Sequence, residues 1–123
     1  MSAPATTRSR DPRFIVRARA DDRCEVCGAL GTDWSHRIAA SRGGLLIPFN
    51  GLWLDRACHN WAHANPDLAR AAGIHLPTGA DPELEPVWLR PALAWPGWWF
   101  LTDWGGYELL RKERPAPVVP ACA

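Results

Sequence analysis

The chain has 123 residues, four cysteines and a net charge of +1. That length fits one domain with a modest core, and the near-neutral total says little about partners. No apolar run is long enough to cross a membrane, and Arg8, Arg10, Arg13, Arg17 and Arg19 interrupt any leader-like start. The expected setting is therefore a reducing cytoplasm, where cysteines read as metal ligands or plain thiols before disulfides. Charge is unevenly spread. Residues 1–60 carry nine arginines against six acids, and residues 61–123 carry five basic against seven acidic groups. The basic half is compatible with a phosphate-binding face.

Residues 1–20 read as an N-terminal arm. Its first ten residues, rich in Ser, Thr, Ala, Pro and Arg, read as disordered. Asp11-Pro12, followed by Phe14, Ile15 and Val16, predicts a short helix to Ala20 with Pro12 at its first position. Cys24 to Gly28 forms a tight knuckle. Alternation of Leu30, Thr32, Trp34, His36 and Ile38 predicts a strand, and Ser41 to Gly44 a loop. Pro48 and Asn50-Gly51 mark a turn before a short strand at Leu52–Leu54. Asp55 is placed to cap a helix from Arg56 to Ala64. Asn65-Pro66 breaks that helix, and a second one should end at Gly73. These segments make a core over residues 21–76. A Pro-, Gly- and acid-rich connector begins the next unit, residues 77–112, which contains five of the eight tryptophans. Within it Trp98–Thr102 and Tyr107–Leu110, joined through Gly105-Gly106, predict a hairpin. Residues 113–123, with three prolines, read as a mobile tail. The fold class expected is α+β.

Cys24 and Cys27 have the spacing of a zinc half-site, because two thiolates on one turn can share a tetrahedral ion. Cys58, at the start of the second expected helix, supplies a third ligand. Its partner three positions earlier is Asp55 rather than a cysteine. The fourth ligand is open between Asp55, a nearby histidine, Cys122 and water. The alternative is that the cysteines are ordinary thiols and Asp55 only caps its helix.

His59 and His63 lie four residues apart, which on a helix stacks both imidazoles on one face. Such a pair can bind one divalent ion. His36 lies on the first expected strand, Asn50 follows a Gly-rich loop, and His59 comes nine residues after it. In this order, Trp34-Ser35-His36-Arg37, Asn50 through Leu54, and Cys58-His59-Asn60-Trp61-Ala62-His63 resemble the HNH endonucleases. The similarity covers about residues 20–75 and is nearest to small phage HNH proteins that carry a zinc knuckle. The His59-to-His63 step also resembles the metal-binding helix of colicin-type nucleases.

That resemblance implies a zinc-stapled ββα-metal, treble-clef-like core with a Trp-rich hairpin appended. It implies a metal-dependent endonuclease that hydrolyses phosphodiester bonds in double-stranded DNA. His36 would take a proton from the attacking water, Asn50 would restrain the loop and orient that base, and His59 and His63 would hold the catalytic ion. Mg²⁺, Mn²⁺, Ni²⁺ and Zn²⁺ all remain open, with imidazole leaning away from Mg²⁺ alone. Many relatives bind metal through the residue before the first histidine, which here is Ser35, a poor ligand. Arg37 and Arg42 are expected to contact DNA phosphates. His75 reads as a loop residue rather than a ligand, and the tryptophans as core rather than base-stacking groups. The setting implied is a phage or mobile element as readily as a cell. The alternative function is a non-catalytic zinc-binding DNA adaptor that uses the knuckle and gives His36 no chemistry.

Overall fold

The computed structural model describes residues 11–121. The expected disordered start and Cys122 lie outside the described residues. Asp11 caps helix α1 (Pro12–Arg19) by accepting from the Arg13 amide at 3.0 Å, and Pro12 opens it. Strand β1 (Asp33–His36) pairs antiparallel with β2 (Gly51–Leu54), setting Trp34 opposite Trp53 and His36 opposite Gly51. The strand is shorter than the alternation predicts. Leu30 is exposed and instead forms an isolated bridge with Arg23 at the knuckle. Side chains alternate across β1, so Ser35 faces the core while Trp34 and His36 share the other face. The Trp34 ring lies over Gly51, where a β-carbon would come within 2.0 Å of it. Glycine at that position makes room for the indole, which meets the His36 ring edge-on, with centroids 5.7 Å apart.

Helix α2 (Arg56–Ala64) starts at Asp55, and α3 (Pro66–Ala71) follows at once, as the Asn65-Pro66 break requires. The Trp-rich unit is a three-stranded antiparallel sheet rather than a lone hairpin. Its strands are β3 (Val87–Leu89), β4 (Gly97–Leu101) and β5 (Tyr107–Leu109), in that order. Three-residue β3 carries too little alternation to announce itself in sequence. Val87, Leu89, Trp99 and Leu101 join Leu52, Leu54, Cys58 and Ile74 in a single buried cluster. Residues 21–76 and the Trp-rich sheet therefore share one core.

A buried ion pair ties the arm to both. Arg19 donates to the two Glu25 oxygens at 2.8 Å each and to the carbonyls of Pro48 and Gly51. Glu25 also accepts from the Trp53 amide and the Tyr107 hydroxyl, so neither charge is left unpaired. Burial beside Glu25 raises the Tyr107 pKa well above its ordinary value. The tail expected to be mobile is laid on the sheet as far as it is described. Trp98 donates its indole N–H to the Pro115 carbonyl at 3.0 Å, Arg114 stacks 4.3 Å over the same ring, and Val119 packs on the core. Among the described residues, no helix is long and apolar enough to cross a membrane.

Candidate functional site

The knuckle closes through the Cys24 amide on Ala29 and the Gly28 amide on Cys24, with Gly28 in the left-handed region at φ 86°. This turn brings Cys24 and Cys27 to the start of α2. One donor atom each from Cys24, Cys27, Asp55 and Cys58 lies within 4.8 Å of all the others. Asp55 divides its carboxylate. Oδ1 caps the helix by accepting from the Cys58 amide at 2.8 Å, and Oδ2 lies 3.5 Å from Cys27 Sγ. Capping and ligation are thus compatible at this residue. Three sulfurs and one carboxylate oxygen at this spacing fit a tetrahedral zinc ion. All three cysteines must be reduced before the set takes an ion. The Cys58 hydrogen bond holds the Cys24 thiol down to about 7 and pushes Cys58 upward. Proximity thus favours a thiolate within the cluster.

Beyond α2 lies a cleft of about 400 Å³, lined among others by Trp34, His36, Arg42, His59, His63, Arg70 and His75. Adjacent positions on a helix diverge by about 100°, so Cys58 can face the core while His59 faces the cleft. The His59 and His63 rings are 4.9 Å apart, as the four-residue step predicts. His59 Nδ1 is buried with no hydrogen-bond partner. The neighbouring Asp33 Oδ2 is 3.9 Å away, too far for a hydrogen bond, and pairs instead with Arg56 at 2.9 Å. An orphaned ring nitrogen beside a second imidazole suits a metal ligand. The pair fits a divalent ion in donor chemistry, although the four-member sulfur–carboxylate cluster is the one set of three or more such donors gathered within 4.8 Å among the described residues. Burial, with His63 next, lowers the His59 pKa and favours the neutral, ligating form.

His36 borders the same cleft, on the strand beside α2. Burial lowers its pKa too, which favours a base. Trp34 donates its indole N–H to His36 Nδ1 at 3.0 Å. An indole nitrogen can only donate, so the neutral ring carries its proton on Nε2 and its lone pair is already engaged.

Two expected site residues are buried: Arg37 has a task the sequence does not predict, and Asn50 restrains the loop as expected. Arg37 is 1% exposed and cannot reach a phosphate. Its guanidinium donates to the carbonyls of Gly73, Phe49, Pro82, Glu85 and Pro86, joining the end of α3 to the connector. Burial, with the Arg19 charge next, presses its pKa down, and the Glu85 and Glu25 charges oppose that. Strand alternation sends Arg37 inward where His36 goes outward. Asn50, also 1% exposed, does not touch the cleft chemistry directly. Its amide accepts from the Ile38 N–H at 2.7 Å and donates to the Ile38 and Leu45 carbonyls at 3.0 Å, clamping the loop after His36. It is a positioning residue. Ser35 borders the cleft but is only 2% exposed.

The cleft also contains two residues for which sequence reasoning found no role. Arg70, exposed on α3, adds a second cation to the cleft lining beside that of Arg42. The His75 ring stands 5.1 Å from that of His63. Burial, then the neighbouring His63, His59 and Arg70, holds its pKa down to about 4, so the imidazole is neutral near pH 7. No sequence spacing announces His75, because α3 and a turn separate it from α2. No protein-family model, curated protein or solved structure matches the chain.

Proposed function

We propose that the protein is a metal-dependent endonuclease acting on double-stranded DNA, of HNH type with a ββα-metal core, and that its sulfur cluster holds a structural zinc. The observation that carries this reading is the convergence of His36 with the His59–His63 pair on one cleft rimmed by exposed Arg42 and Arg70. A phosphodiester resists attack because its charge repels nucleophiles. Hydrolysis needs a base, charge compensation and fixed geometry. Arg42 and Arg70 bind backbone phosphates and align the strand without reading bases. His59 and His63 would hold a divalent ion, which would supply Lewis-acid compensation of phosphate charge. Asn50 holds the loop so that His36 keeps its place, and His36 accepts the water proton at Nδ1. That step exchanges the Trp34 hydrogen bond for one from water.

The competing reading is a zinc-braced DNA-binding adaptor, and the occupied Nδ1 of His36 favours it. A plasmid-nicking assay across Mg²⁺, Mn²⁺, Ni²⁺ and Zn²⁺ separates the two. The wild type is expected to cut. His36→Ala should lose about 10²–10⁴ of the rate while remaining folded and binding DNA. His63→Ala should lose activity that excess metal partly restores. DNA binding without cleavage in every metal would leave the adaptor.

A further inference from the structure

His75 has no part in the hydrolytic scheme, yet it lies in the cleft with its ring centroid 5.1 Å from that of His63, which is 4.9 Å from that of His59. Two imidazoles on one tetrahedral ion, each with a nitrogen–metal bond of about 2.0–2.1 Å, have centroids about 5 Å apart. Both separations match that value. The ring planes are tilted by 52° and 55°, not stacked in parallel. We infer that His75 is a third protein donor, with His59 and His63, to a divalent-metal site in this cleft. The inference rests on the proposed function for what the ion does there, but not for its binding.

The backbone around His75 is anchored for such a role. The His75 N–H donates to the Ala69 carbonyl at 3.2 Å, Ile74 is buried in the core, and the Leu76 N–H donates to the Arg37 carbonyl at 2.8 Å. Arg37 in turn grips the Gly73 carbonyl at 2.9 Å. The buried arginine thereby fixes the segment that presents His75, as a metal site needs. Three imidazoles leave one tetrahedral position for water or a phosphate oxygen, the arrangement of a catalytic rather than a structural ion. They favour Zn²⁺ or Ni²⁺ over Mg²⁺. Donor nitrogens of the three rings are not all within 4.8 Å of one another. Exposed His63, the middle ring, has room to turn, so side-chain rotation can close the set.

The test uses the full chain with one equivalent of zinc already bound. Isothermal titration with Ni²⁺ should show one further site. His75→Ala and His63→Ala should each weaken it by at least about tenfold, while His36→Ala leaves it within about twofold. His75→Gln gives the same result if loss of the donor is the cause. In the wild type, a second equivalent of Zn²⁺ should shift the ring ¹⁵N resonances of His59, His63 and His75 together, and this readout needs no variant to fold. Undiminished Ni²⁺ affinity in folded His75→Ala, an unmoved His75 resonance, or no second site in the wild type overturns the inference. Metal bound through His75 on a protein that cuts no DNA would support the site and end the nuclease reading.

Discussion

Helix α2 serves two donor sets, and they differ in readiness. On its core side Cys58, with Asp55 at the cap, completes a cluster whose four donors are already within 4.8 Å of one another. On its cleft side His59 and His63 are spaced for an ion, but one ring nitrogen is orphaned and His63 is exposed. A gathered, shielded set binds its ion with little reorganisation and returns that energy to the fold. A looser, open set can exchange ligands with a substrate. The largest expected effect follows from this contrast. Stripping zinc under reducing conditions, or Cys58→Ala, should lower the melting temperature by about 15 °C or more. Removing a weakly held second ion with mild chelator should change it by less than about 3 °C. Calorimetry paired with elemental analysis checks both. Equal shifts for the two metals would erase the distinction between brace and working site.

Arg37 and Arg42 give the same contrast within five residues of chain. Both read as phosphate contacts in sequence. Arg37 is enclosed by five backbone carbonyls, whereas Arg42 is exposed on a one-turn 3-10 helix at the cleft. Arg37→Met strands those buried acceptors and should cost about 3–5 kcal/mol in urea unfolding. Arg42→Ala should leave stability within about 0.5 kcal/mol. It should instead weaken DNA binding and reduce the slope of log affinity against log salt by about one. If the two variants exchanged phenotypes, the assignment of buried and working arginine would be wrong.

What could be read in sequence was whatever depends on local pattern. Asp11-Pro12, Asp55 and Asn65-Pro66 fix helix ends by short-range hydrogen bonding and ring geometry, and α1 and α2 run as those residues dictate. The His59–His63 spacing and the Cys24–Cys27 turn are likewise local, and both juxtapositions are present. What escaped depends on long-range placement. His75 reaches the cleft because Arg37 binds the chain after α3, a contact spanning 36 residues. Strand parity alone would have sent Arg37 to the face opposite His36, and that signal was available. Strand β3 was missed because three residues make too short a pattern. The tail's packing depends on Trp98 and Arg114, whose partners are not sequence neighbours.

The smallest expected effect concerns Trp34, which ties down the proposed base by its hydrogen bond to His36. His36 has a pKa lowered by burial, and the Trp34 indole further favours the neutral ring by donating to Nδ1. A base with a depressed pKa stays active to lower pH than a free imidazole. The rate should therefore fall only as pH drops below the ordinary value of about 6.5. Trp34→Phe keeps an aromatic ring over Gly51 and removes the N–H. The neutral form then loses a partner, the His36 pKa rises, and the acid limb of the rate profile should move upward by up to about one unit. The folded state should lose about 0.5–1.5 kcal/mol with that bond. Nicking rates from pH 5 to 8, read alongside His36 ring shifts, measure the move directly. An unmoved limb in Trp34→Phe would mean that the indole orients the ring without tuning it. A limb that persists in His36→Ala would assign the proton transfer to another group.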